Sequence, residues 1–400
     1  MDFNQNNNQF GVNNGTSPQN NMGNPQTYNG GQYNNNYYTS PNQNFNNQYN
    51  SYNPQGQPYF QGNFQNYQQA TFVNQEKFLK LRAQKDEIRR FSKIFALAML
   101  SFLVMSMLFS GVLEALGLID LYYSNSTFSS SAGIFYSVLT VGFPFFIAKK
   151  AVYKTPDLPV CSYSAPKANL KTICIIFISV LGCIASMYVT GYIQAFFEGL
   201  GYAFSSGDEP DVNSVIDIIA LFIGTAIIPP LVEEFAMRNV VMQPLRKYGN
   251  LFAIICSALV FGIFHGTPSQ IPFAILCGLF LGYAVIATDS IWTGVIIHAI
   301  VNGLSCCYYA IRYFTDEETA DTTYGIICLT LAGLGFVTLL VYLSKYKADF
   351  NRIISKNGLE EYTLTQKISK FIFAPAMIIA IIVFFIQAIS MISFGSEVTM

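Results

Sequence analysis

Charge is scarce in this 400-residue chain. Asp, Glu, Lys and Arg make up 11% of it, against a 52% hydrophobic content and a mean hydropathy of +0.33, whereas soluble domains carry roughly 25% charged residues. That imbalance excludes an ordinary soluble domain. With a net charge of -1, the chain also lacks the basic field that a nucleic-acid partner requires. The eight cysteines form no CxxC pair and fall mostly within apolar runs, which argues against a disulfide framework and a thiolate zinc site. The polar N-terminus shows no n-region or h-region, so insertion is expected to rely on the first spanning helix rather than on a cleavable signal.

What the chain does have comes in two blocks. Residues 1–70 hold 34 Asn or Gln and a single charge, Asp2; such a tract buries too little apolar area to offset its ordering entropy. A disordered tail over 1–75 is expected, cytoplasmic by the charge argument below. Residues 76–400 are expected to form a transmembrane domain, an all-α polytopic helical bundle of about 8–9 spans. Nine apolar runs of spanning length are visible, at about 94–118, 131–148, 170–194, 214–243, 250–267, 270–288, 290–311, 323–344 and 371–393. Lys and Arg collect before the first run and after the second, fourth and eighth, while the alternate connections hold Asp208, Glu209 and Asp211 or Asp316, Glu317, Glu318 and Asp321. By the positive-inside rule, the N-terminus lies inside and the C-terminus outside.

Ionisable residues inside bilayer helices are costly and tend to mark function. Three places carry them. In PPLVEEFAMR, Glu234 and Arg238 are four apart and can pair, while Glu233 points about 100° away. Pro229 and Pro230 predict a broken or restarted helix just upstream. In FGIFHGTP, His265 follows Phe261 by four residues; in TGVIIHAIVN, His298 and Asn302 share a helix face. These are the only two histidines in the chain, and each has a nearby glycine, Gly262 or Gly303, that predicts close helix approach. The plainer readings are snorkelling glutamates, a satisfied core histidine and interhelical glue. A buried carboxylate suits general-base work on water, and an Asn amide suits an oxyanion. The histidines could share the proton, hold a metal or meet the oxyanion. No HExxH is present, so ligands to any metal would come from separate helices.

EEFAMR, FGIFH and HAIVN resemble, in order, the EExxxR, FxxxH and HxxxN motifs of the CPBP intramembrane proteases, which include the CAAX prenyl endopeptidases and bacteriocin self-immunity proteins. The resemblance covers about 214–305. It implies Glu233 as the base that activates water, His265 as its helper, His298 and Asn302 as oxyanion stabilisers, and Glu234 with Arg238 in support. A zinc ion or another divalent metal among Glu234, His265 and His298, or a metal-independent glutamate mechanism, both fit the motifs. The implied activity is an intramembrane endopeptidase acting on membrane-embedded or lipidated peptides in a lipid bilayer, a bacterial plasma membrane being the expected setting. A non-catalytic immunity or scaffold protein of the same fold is the alternative, and a transporter a third reading. Asn239 stands where many relatives have Gly. The tail and the last two spans lie outside the resemblance.

Overall fold

The computed structural model describes residues 62–204, 210–355 and 362–394. The expected tail, up to residue 61, and the acidic pair Asp208 and Glu209 lie outside them. The described residues are almost entirely helical, as the apolar runs predict. In chain order they comprise α1 (Gly62–Ala115), α2 (Ser126–Val152), α3 (Leu170–Gly199), β1 (Tyr202–Phe204), α4 (Val215–Tyr248), α5 (Asn250–His265), α6 (Gln270–Thr288), α7 (Ile291–Phe314), α8 (Glu317–Ser355), α9 (Leu364–Ile372), α10 (Pro375–Ile389) and β2 (Ile392–Phe394). Seven of these helices are long and apolar enough to cross a membrane, and the pair α9–α10, bent by 70°, makes an eighth. With Met107, Tyr192 and Leu329 on outward faces, the bundle surface is apolar where lipid tails would meet it.

Helix α5 is short for a single pass. Its 16 residues span about 24 Å, against about 30 Å for a typical hydrocarbon core. It nevertheless runs the length of the bundle. Asn250, at its start, donates to the Ile353 carbonyl at the end of α8. At the other end, Gly266 caps it in the left-handed conformation and lies against Gln387 in the last turn of α10. By length and composition seven helices, or eight with α9–α10 taken as one span, can cross a membrane, against nine apolar runs in the sequence; α5 is the run that falls short.

Close helix contact holds α5 to α6. A Cβ at Gly278 would approach the Ala258 backbone to 2.9 Å, and one at Gly262 would come within 2.8 Å of the Ile271 carbonyl. The approach expected at Gly262 is therefore present. Gly303 differs: a Cβ there would make only an ordinary 3.9 Å contact with Ala226, because α7 already stands a side chain's width from α4 at that level.

The expected break at Pro229–Pro230 does not form. Helix α4 continues through them without a sharp bend, because one wide π turn, Phe222–Ile227, precedes the prolines and a second, Phe235–Met242, follows the glutamates. A π turn makes room for a proline ring that a regular α turn would reject. It also leaves Thr225 without a backbone donor. In the α register residue 229 would donate to its carbonyl and in the π register residue 230 would, and both are proline.

Candidate active site

The continuity of α4 decides the depth of its glutamates. Glu233 lies about four turns before Gly249, the turn into α5, and His265 about four turns after it. Two straight antiparallel helices therefore bring the residues to one level without any re-entrant segment. They line a common cavity of about 360 Å³ together with Phe261, His298 and Asn302.

The two adjacent glutamates have separate surroundings, as their helical offset requires. Glu234 has no exposed surface. One oxygen accepts from Arg238 Nε at 3.0 Å and the other from His298 Nδ1 at 3.2 Å. Arg238 is equally buried; it donates through Nη1 to Ser257 Oγ at 2.8 Å and stacks 5.2 Å over the Phe261 ring. Ser257 passes the chain on to the Met237 carbonyl. Burial of such charges is tolerable only when they are paired and hydrogen-bonded. Glu233, by contrast, keeps 18% side-chain exposure and stands 3.9 Å from His298 Nε2.

Glu234 therefore fixes the orientation of His298. A carboxylate accepts, so Nδ1 carries the proton and Nε2 faces Glu233 and the cavity. The Phe261 carbonyl does the same for His265, accepting from Nδ1 at 2.7 Å. Phe261 serves both rings, meeting His265 and His298 edge-on at centroid distances of 4.7 and 5.8 Å. Asn302 donates at 3.0 Å to the Thr225 carbonyl that the prolines orphan, which leaves its second amide hydrogen.

All six residues singled out in the sequence thus gather in or directly behind one cavity. Three supporting residues escape a motif reading. Ser257 precedes Phe261 and His265 by successive four-residue steps, a spacing that places all three on one face of α5. Gly294 precedes His298 by four, and a Cβ there would collide with the Glu234 carboxylate and stand 2.8 Å from Val285. Thr225 is marked only by its distance from two prolines.

Glu234 is already committed to Arg238 and His298, and among the described residues no three His, Cys, Asp or Glu side chains converge to hold a metal ion.

Asn239 has a partner of its own. Its amide bonds the hydroxyl of Tyr163, in the connection between α2 and α3, which also accepts from Lys149 at 3.1 Å. The neighbouring backbone is fastened to the start of α7: Trp292 Nε1 donates to the Tyr163 carbonyl at 2.8 Å and Ser290 Oγ to the Ser164 carbonyl at 2.7 Å. The asparagine thus ties this connection to the glutamate helix.

Residues 215–304, which contain every residue of the cavity's acidic and imidazole cluster, match the family described as type II CAAX prenyl endopeptidase Rce1-like. The similarity to that family is confined to this stretch. Over 132 residues, the chain is 25% identical to the Bacillus subtilis (strain 168) protein described as "Putative membrane peptidase YdiL". That stretch is 31% of this chain and 54% of the relative, so the chain spans about half the length of the curated relative it matches. No solved structure matches the chain.

Proposed function

We propose that the protein is an intramembrane endopeptidase in which Glu233 activates water. The observation that carries this reading is the convergence of Glu233, His265 and His298 on one cavity, with His298 oriented from behind by Glu234. Glu233 is the carboxylate left free for chemistry, because Glu234 is fully occupied by Arg238 and His298.

In this reading, water sits between Glu233 and the lone pair of His265 Nε2. Glu233 takes one of its protons as the hydroxide oxygen bonds to the scissile carbonyl carbon. The second amide hydrogen of Asn302 meets the resulting oxyanion. Were Glu233 to lend that proton to His298 Nε2, 3.9 Å away, and take it back before the C–N bond breaks, the ring would be a second donor meanwhile, its positive charge stabilised by Glu234 as the carboxylate of a hydrolase triad stabilises its imidazolium. The tetrahedral intermediate then breaks at the C–N bond, and Glu233 returns its proton to the leaving amine. The acyl product keeps the hydroxyl, and proton and electron pairs balance with no further reagent. The substrates would be peptides embedded in or tethered to the membrane.

The test uses the full chain in liposomes with apolar single-span peptides as probes, their products read by mass spectrometry. Glu233→Gln keeps size and hydrogen bonding but removes the base, and cleavage should fall by about 10²–10⁴-fold. Equal cleavage by parent and variant would sink the reading and leave the scaffold alternative.

A further inference from the structure

A second cavity, of about 280 Å³, adjoins the one that holds Glu233. The two share Cys183, Gln270, Phe273, Val301, Asn302 and Ser305 as walls, so Asn302 stands where they meet. The second chamber extends toward α3 and α8. There Ile184, Met187 and Leu304 supply apolar surface, and Thr190, Gln194 and Tyr324 supply polar groups. No Asp, Glu, Lys, Arg or His lines it.

Thr190 is the informative residue. It is 5% exposed, and its hydroxyl has no hydrogen-bond partner. A helical threonine ordinarily returns its hydroxyl to the carbonyl four residues earlier, as Thr140 and Thr288 do here. A buried hydroxyl left open at the wall of a chamber is set up for a partner that arrives from outside. The chemistry of that partner follows from the surroundings. A peptide presented for hydrolysis must unwind, and its freed N–H and C=O groups need partners inside a membrane. Amides and hydroxyls interleaved with apolar side chains provide both parts of such a site.

We propose that this chamber is a substrate subsite that holds uncharged residues beside the scissile bond, with Thr190 and Gln194 pairing with the unwound backbone. The proposal deepens the protease reading above and rests on it for the identity of the neighbouring chemistry. It adds a specificity: with no counter-charge available, an ionised substrate side chain entering the chamber would lose its hydration uncompensated.

The experiment presents the full chain in liposomes with apolar single-span peptides randomised over four central residues. Cleavage products are sequenced by mass spectrometry for the parent, Gln194→Lys and Gln194→Glu. For the parent, Asp, Glu, Lys and Arg should be depleted at least about tenfold at one position flanking the cleaved bond, the reach of one or two kcal/mol of discrimination. Gln194→Lys should admit acidic residues at that position and Gln194→Glu basic ones. A merely structural effect would lower cleavage of all peptides alike. Glu233-dependent cleavage with the same flanking preference in all three proteins would overturn the subsite and leave the protease reading standing. A second arm works without turnover: the same peptides bearing a photoreactive leucine are irradiated with the Glu233→Gln protein. Crosslinks to α3 around Thr190 and Gln194 would sustain the chamber as a peptide site even where no cleavage is seen, and their absence would overturn it.

Discussion

Arg238 sits fully buried against Glu234, and its guanidinium makes the difference between a paired carboxylate and an uncompensated buried charge. Removing one member of a buried ion pair costs about 3–5 kcal/mol because the other is left uncompensated. Glu234→Gln is therefore expected to lower the melting temperature of the detergent-solubilised protein as well as activity. Glu233→Gln, at a partly exposed position without a salt-bridged arginine, should lower activity alone. Parallel thermal melts of the two variants check this, and equal destabilisation would show that the glutamates are not divided between framework and chemistry. Gly294→Ala belongs with Glu234: its methyl would push the carboxylate away from His298, so activity should fall while Glu233 is untouched. Much of this division was legible in the sequence, since adjacent helical residues point about 100° apart and a four-residue spacing pairs Glu234 with Arg238. Gly294 and Ser257 were not, because their role depends on which side chain faces them across a helix boundary.

Helix α4 shows how an element converts two prolines into a functional contact. The sequence predicts a break, because a proline in a regular α turn clashes and loses a hydrogen bond. The structure absorbs the ring in a π turn and passes the missing hydrogen bond to Asn302 on α7. The pairing could not be read from the sequence, for it requires knowing that α7 lies against the orphaned carbonyl. Replacing both Pro229 and Pro230 by Ala restores a backbone donor to Thr225 and competes with Asn302. Activity should then fall by at least about tenfold, the order expected from misplacing one oxyanion donor, while the melting temperature holds or rises. A melting temperature that falls in step with activity would count against this account. The connection between α2 and α3 offers a second test at this scale. Burial pushes the Cys161 thiol up to about 11, so it should resist alkylation at pH 8, where few thiolates form. Tyr163→Phe removes the hydroxyl that meets Asn239 and Lys149; peptide mapping after iodoacetamide treatment should then show faster labelling at Cys161.

Across the whole molecule, cross-links in the fold separate its two ends. One end gathers Lys247 with Glu87, Lys171 with Asp349, Lys367 with the Tyr248 carbonyl and Tyr362 with the Leu81 carbonyl. The other gathers β1 with β2 in an antiparallel pair, Tyr202 opposite Phe394, just after α3 and just after α10. This pairing fixes parity: α4 returns the chain from the β1 end to the Tyr248 end, so an odd number of passes must carry it back to β2. Helices α6, α7, α8 and the bent α9–α10 supply four. The short α5 must be the fifth, although length and composition alone leave it out. Apolar length under-reports a helix that crosses a bundle near its wet cavity, where less hydrocarbon has to be spanned. By the positive-inside rule the basic residues at the Tyr248 end are expected to lie inside, which predicts the β1–β2 end outside. A reporter fused after Met400 should accordingly read as external and one inserted after Lys247 as internal. If both read on the same side, α5 does not traverse, and His265 loses the route by which it reaches the level of Glu233.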